Sequence, residues 1–163
     1  MSIYMKYGST IKGDATTKGW ADWITLGSVQ MGAGRGLASS KGKGANREAS
    51  EPSISEITVS KEWDPASSSK LFEESVAGKL NTAVEIHFTT TSGNEQAAYL
   101  IIKLKDCGIS GYSFSGSGMG KGSESLSLNF SHIEITPKIV DEALGTKDGT
   151  KVSYDLTLMK ANV

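Results

Sequence analysis

The sequence predicts a mainly β protein: a small antiparallel β-barrel of about eight strands with one flanking α-helix. Three observations carry this. Apolar residues alternate with polar ones through most of the chain, the period of a half-buried strand. Turn residues punctuate that alternation at short intervals, and glycine is abundant at 19 residues of 163. A single stretch, Asp64 to Lys79, breaks the alternation and carries helix punctuation instead. The length suits one domain, residues 1–163, large enough to bury a core without disulfides or a structural metal.

Each strand can be read in turn. In SIYMKYG, Ile3, Met5 and Tyr7 share a face and Tyr4 and Lys6 take the other. WITLGSVQM reads as one strand, with Ile24 and Leu26 on one face and Trp23, Val29 and Met31 on the other. Ile57 and Val59 form the third face, and Val84, Ile86 and Phe88 the fourth, opposite Glu85 and His87. In QAAYLIIKLKD, Leu100, Ile102 and Leu104 face one way. Tyr99 and Ile101 make the second face apolar too, so this strand is expected to be covered on both sides. GISGYSFSG is short and glycine-rich. In SESLSLNFSHIEIT, Leu126, Leu128 and Phe130 align, but Ile133 and Ile135 fall on the opposite parity. Such a phase change means a bulge or a change of sheet partner. KVSYDLTLM closes the series with Val152, Tyr154, Leu156 and Leu158 in register.

The helix is expected over about 67–77. Pro65 with Ser67 or Ser68 marks its start, Leu71, Phe72 and Val76 its apolar stripe, and Gly78 a left-handed stop. Between strands, Gly32 to Ser53 is long, polar and glycine-rich. Loops of this kind are either functional or disordered. Arg35, Lys41, Lys43, Arg47, Glu48 and Glu51 give it mixed charge, suited to ordering against a second protein surface.

The chemistry-bearing residues assemble no site. Gly32, Gly34 and Gly36 give GxGxG, not the dinucleotide fingerprint, and no apolar helix follows. The Walker pattern needs a glycine five positions before Gly120-Lys121, where Ser115 stands. His87, His132 and Cys107 match no metal-ligand spacing, and no serine sits in a nucleophile elbow. The expectation is therefore no enzyme, no metal and no cofactor. A net charge of −1 argues against a nucleic-acid partner. The lone cysteine excludes an intrachain disulfide, and the absence of an apolar run of about 18 residues argues against membrane insertion. The N-terminus has no secretory leader, so a cytoplasmic protein is expected, one that leaves the cell only by a route without a cleaved signal.

Three stretches together resemble one family. YLIIKLKDCGISGYSFSGSG followed by ESLSLNFSHIEI is similar to its strand–turn–strand core. SEITVSKEWDPASSSKLFEESVAGK is similar to its strand, Lys-x-x-Asp turn and single helix. IKGDATTKGWADWITLGSVQMGAG is similar to its linker and second strand. The family is Hcp, the tube protein of bacterial type VI secretion systems, and the resemblance covers nearly the whole chain in order.

The resemblance implies homohexameric rings stacked into a tube, with sheath and spike proteins as partners and small effector proteins carried in the lumen. It implies that the loop about 32–53 reaches the neighbouring ring through Arg35, Lys41, Lys43, Arg47, Glu48 and Glu51. It places Gln30 and Ser28 toward the lumen, and it makes Tyr99 and Ile101 candidates for the ring interface. A monomeric β-barrel ligand-binding module is the alternative that the alternation alone leaves open.

Overall fold

A computed structural model describes residues 1–37, 50–92 and 95–162. In chain order the elements are β1 (Ser2–Tyr7), β2 (Ile24–Leu26), β3 (Ser28–Gln30), β4 (Ala33–Gly34), β5 (Ser53–Ile54), β6 (Ile57–Glu62) and α1 (Ser68–Ala77). There follow β7 (Thr82–Ser92), β8 (Glu95–Ser115), β9 (Ser123–Asn129), β10 (His132–Val140), β11 (Thr146–Asp148), β12 (Val152–Asp155) and β13 (Lys160–Asn162). The chain is mainly β with one helix among the described residues, as the alternation predicts. Every strand pair is antiparallel.

The 21-residue β8 is the spine. Its first part lies between β7 and β10; from Gly108 onward it pairs with β9 instead. The changeover falls at Asp106, whose φ is +48°, and at Gly108, where a Cβ would come within 2.2 Å of Leu80 Cδ2. The sheet therefore branches. One arm runs β13-β12-β10-β8-β7-β1-β2, and the other runs β8-β9-β6-β3. Their inner faces meet on a common core that includes Met5, Ile24, Val59, Ile86, Leu104 and Leu126.

The mainly β class with one helix is as expected, but the expected small barrel of about eight strands is drawn out into a larger antiparallel sheet that does not close between β2 and β3. β2 pairs with β1 and β3 with β6, and no ladder joins β2 to β3. Only the covalent chain through Gly27 connects them, with the Gly27 N–H donating to Ser60 O at 2.7 Å. Gly27 also shifts the phase. Val29 packs on the same core as Ile24 and Leu26, not on the opposite face with Trp23 as strict alternation requires. The phase change near Phe130 is a true change of partner: β9 lies between β6 and β8, whereas β10 lies between β8 and β12. The last predicted strand is shorter than its pattern. It stops at Asp155, whose Oδ1 accepts the Thr157 and Leu158 N–H groups, and the chain turns back into β13.

The helix lies where expected, but its contacts differ. Leu71 is fully buried, whereas Phe72 and Val76 are exposed. Phe72 instead makes an edge contact with Tyr112, ring centroids 5.3 Å apart. Gly78 is extended at φ −69°, not left-handed. It is glycine because a Cβ there would sit 2.3 Å from Glu74 O. The N-cap work falls to Asp64, whose Oδ1 accepts the Ala66 and Ser67 N–H groups at 2.8 and 2.7 Å.

Polar contacts, not only apolar ones, hold α1 to the sheet. Lys61 Nζ, buried, lies 2.6 Å from Glu124 Oε2 and 2.8 Å from Asp64 Oδ2. It also donates to Ser68 Oγ at 3.0 Å and to Glu62 O at 2.7 Å. Ser68 Oγ and Tyr112 Oη donate to the two Glu124 oxygens at 2.7 and 2.5 Å. Lys61 and Glu124 face each other across the β6–β9 ladder.

Candidate channel face and arm

On the β3-β6-β9-β8 side, alternation produces two unlike faces. One register row is Val29, Val59, Leu126 and Tyr112, which points into the core. The neighbouring row on the outer face is Ser28, Ser60, Ser125 and Ser113. The next outer row is Gln30, Thr58, Ser127 and Gly111. A further row sets Ser123 beside Ser115, with Glu62 at its end. The outer face is thus mostly hydroxyl and amide, with charge only toward its margins. Ser28 Oγ and Ser60 Oγ lie 2.6 Å apart, a direct cross-strand hydroxyl pair.

Each strand presents a side chain outward because its neighbours along the chain are buried. Val29 enters the core, so Ser28 and Gln30 on either side of it are exposed. The bulge at Ser110 shifts β8 by one residue against β9, which keeps Tyr112 inward and Ser113 outward. Such a face needs no apolar cover, since hydroxyls and amides both donate and accept hydrogen bonds to water or to a passing surface. Sequence reasoning singled out Ser28 and Gln30 but missed Thr58, Ser60, Ser113, Ser125 and Ser127. The alternate serines of YSFS and SESLSL were the available signal.

From the end of β3 the chain leaves as a two-stranded ribbon. Ala33 pairs with Ile54 and Gly34 with Ser53. Serine hydroxyls staple its edges: Ser55 Oγ accepts the Gly32 N–H at 2.8 Å, and Ser50 Oγ accepts the Gly36 N–H at 2.7 Å. Arg35 and Glu51 are exposed on this ribbon. Lys41, Lys43, Arg47 and Glu48 lie outside the described residues.

Tyr99 is part-exposed at a register shift between β7 and β8, its ring 6.2 Å from Phe88. Ile101 packs against a second small cluster of Tyr4, Ala15, Trp20 and Ala98. The segment 8–23 therefore covers Ile101 within one protomer, which accounts for the apolar second face of that strand. Cys107 is fully buried, and burial pushes its thiol up to about 12, so it is held as the neutral thiol. No group of three His, Cys, Asp or Glu side chains is placed to hold a metal among the described residues. Nor is any described helix long and apolar enough to cross a membrane.

Comparison with known proteins adds to this geometry. The model of the family described as type VI secretion system effector, Hcp, matches residues 4–136. No curated protein sequence matches the chain. Among solved structures, one described as a type six secretion system protein superposes with a TM-score of 0.83 at 21% identity, covering 99% of each chain. Hcp1 from Salmonella typhimurium gives 0.71 at 18% identity, covering 99% of this chain and 100% of its own. A type VI secretion system effector from Yersinia pestis gives 0.67 at 18% identity, over 94% and 98% of the two chains. The family match runs from β1 into β10, through both branches of the sheet and the helix, and by it the chain belongs to the Hcp family of type VI secretion tube proteins.

Proposed function

We propose that six copies of this chain form a ring whose channel is lined by the hydroxyl and amide face of β3, β6, β9 and β8. The observation that supports this reading is the composition of that face: rows of serine, threonine and glutamine over a well-packed apolar layer. A channel that holds small effector proteins and then releases them benefits from neutral groups, which hydrogen-bond without demanding a charged partner. Rings stack through the ribbon that begins at Ala33 and returns at Ile54, with Arg35 and Glu51 meeting charges on the next ring. The tube works with sheath and spike proteins and is exported from the cell. Tyr99 is the part-exposed residue offered to the ring interface.

Gln30→Arg tests the channel. It removes no apolar contact and adds one positive charge per protomer, about six around one level of the pore. Rings still form by sedimentation and negative stain, while effector co-purification and export change. Unchanged cargo handling, or loss of the ring, overturns the placement of Gln30. A protomer that sediments as a monomer overturns the ring itself.

Shortening the segment between Gly36 and Ser50 tests the arm. Exposed ion pairs contribute only about 0.2–1 kcal/mol each, so stacking depends on their repetition around the ring and weakens in salt. The shortened variant is expected to keep single rings and lose tubes in electron micrographs. Loss of the rings would assign the segment to the protomer fold instead.

A further inference from the structure

The segment 8–23 is a strap across β1, β7 and β8. Its sides are joined by hydrogen bonds from Gly13 N to Asp22 O and from Ala15 N to Trp23 O, at 2.8 and 3.0 Å. Trp20 stacks on Tyr4 with ring centroids 5.5 Å apart and planes at 17°. Tyr4 Oη also bonds Thr17 Oγ1 at 2.8 Å. Gly8 N donates to Ala83 O at 2.9 Å, and one further polar tie is unusual in kind: Trp20 Nε1 donates to His87 Nδ1 at 3.0 Å.

That bond fixes the state of the imidazole. An indole N–H can only donate, so His87 Nδ1 must carry a lone pair. The ring proton then sits on Nε2, which faces Glu85 Oε2 at 3.3 Å. A second proton, added at Nδ1, would set two N–H donors against each other, and the Trp20 bond cannot survive it. The charged ring would keep Glu85 and its packing against Trp23, ring centroids 4.6 Å apart, but lose Trp20.

We propose that His87 is a proton-operated latch for the Trp20 end of this strap. Neutral, it holds Trp20 down over Tyr4, Ala98 and Ile101. Protonated, it releases Trp20 and uncovers that apolar patch.

The surroundings set the direction. Burial disfavours the imidazolium, Glu85 on β7 favours it, and Lys103 on β8 and Lys138 on β10 oppose it. The net effect holds His87 below its ordinary value of 6.5. Lys103 Nζ is itself 3.8 Å from Glu85 Oε1, which weakens that carboxylate's pull. Lys6 on β1 stands opposite Glu85 in register, and the strap's own Lys12 and Asp22 pair with each other at 2.9 Å. A group that is neutral in the folded state and readily protonated when released gives full stability above about pH 6.5 and loses it as pH falls. The latch is therefore shut at neutral pH and opens as the pH falls below His87's ordinary value.

The test uses the full chain with Trp63→Phe, which leaves Trp20 and Trp23 as reporters. Between about pH 8 and about pH 4.5, indole emission and hydrogen exchange are followed together. Emission shifts to the red below about pH 6.5, and amide exchange at Ala15 and Asp22 rises about fivefold to tenfold while the sheet stays protected. His87→Asn keeps an acceptor oxygen near the Nδ1 position and cannot take a charge, so the strap stays shut across the range. Trp20→Phe keeps the stack on Tyr4 and removes the donor, so His87 titrates at higher pH by NMR. A flat response in the Trp63→Phe chain overturns the proposal. So does an unchanged response in His87→Asn, or an unchanged His87 titration in Trp20→Phe. If His87→Asn fails to fold, the NMR titration of Trp20→Phe decides alone.

Discussion

Lys61→Met is expected to cost the protomer about 3–5 kcal/mol, read as a fall in the urea midpoint followed by circular dichroism. Lys61 is 3% exposed and Glu124 1% exposed, so neither can turn to water when its partner is removed. Methionine matches the length of the lysine stem but supplies no charge. Glu124 is then left in the interior with only the Ser68 and Tyr112 hydroxyls. Asp64 suffers less, because three bonds from Ala66 and Ser67 still satisfy it. The stranded Glu124 therefore dominates the loss. Adding Glu124→Leu to Lys61→Met is expected to recover much of it, since an apolar pair of similar volume avoids the desolvation cost. By contrast, Lys12→Ala breaks a pair whose side chains are 68% and 63% exposed, and is expected to cost under about 1 kcal/mol. A Lys61→Met loss as small as that of Lys12→Ala would show that α1 is held by Leu71 alone.

The same network has a pH signature. Burial pushes Asp64 up, but the bonds from Lys61 and Ser67 outweigh it and hold the carboxyl below its ordinary value of 3.8. An acid so lowered gives stability that is fully present above its unfolded value and is lost as pH falls through the folded one. The loss thus belongs to acid solution below the carboxyl's ordinary value.

Lys61 and Glu124 also show what the sequence could and could not reveal. The alternation places Lys61 in phase with Ile57 and Val59, and Glu124 in phase with Leu126 and Leu128. Parity pointed both inward; only the habit of assigning charges to solvent hid them. The partner change near Phe130 was legible because apolar residues flank it on both parities. The shift at Gly27 was not, because Ile24, Leu26, Val29 and Met31 permit a continuous strand as readily as a broken one. The branching of β8 was hidden for a different reason. The only marks are a switch of parity, with Ile102 and Leu104 entering the core before the changeover and Cys107 and Ile109 after it, and Gly108, whose need for glycine comes from distant Leu80. The hydroxyl face was present as alternate serines, but serine is common in turns and marks no face until the neighbouring strands are aligned.

Gly13→Ala is expected to cost about 3 kcal/mol, and the argument turns on what the new methyl would meet. Its carbon would lie 2.2 Å from Trp23 O and 2.4 Å from both the N and the Cα of Ile24. All three are backbone atoms at the start of β2, and Ile24 is itself fully buried. None can rotate away. Either β2 shifts, which disturbs the core around Ile24, or the strap opens and loses the Gly13–Asp22 and Ala15–Trp23 hydrogen bonds. Gly122→Ala provides the contrast at the same nominal distance. Its methyl would meet Phe114 Cε2 at 2.2 Å, but that ring is 56% exposed and free to swing outward. The cost there is expected to stay below about 1 kcal/mol. The two variants, measured by urea unfolding side by side, separate a clash with fixed backbone from one with a movable side chain. Equal losses would mean that the strap yields as easily as an exposed ring. The tight apposition of Gly13 to β2 would then not be what anchors the strap at its base, leaving its contacts with Tyr4 and His87 to hold it.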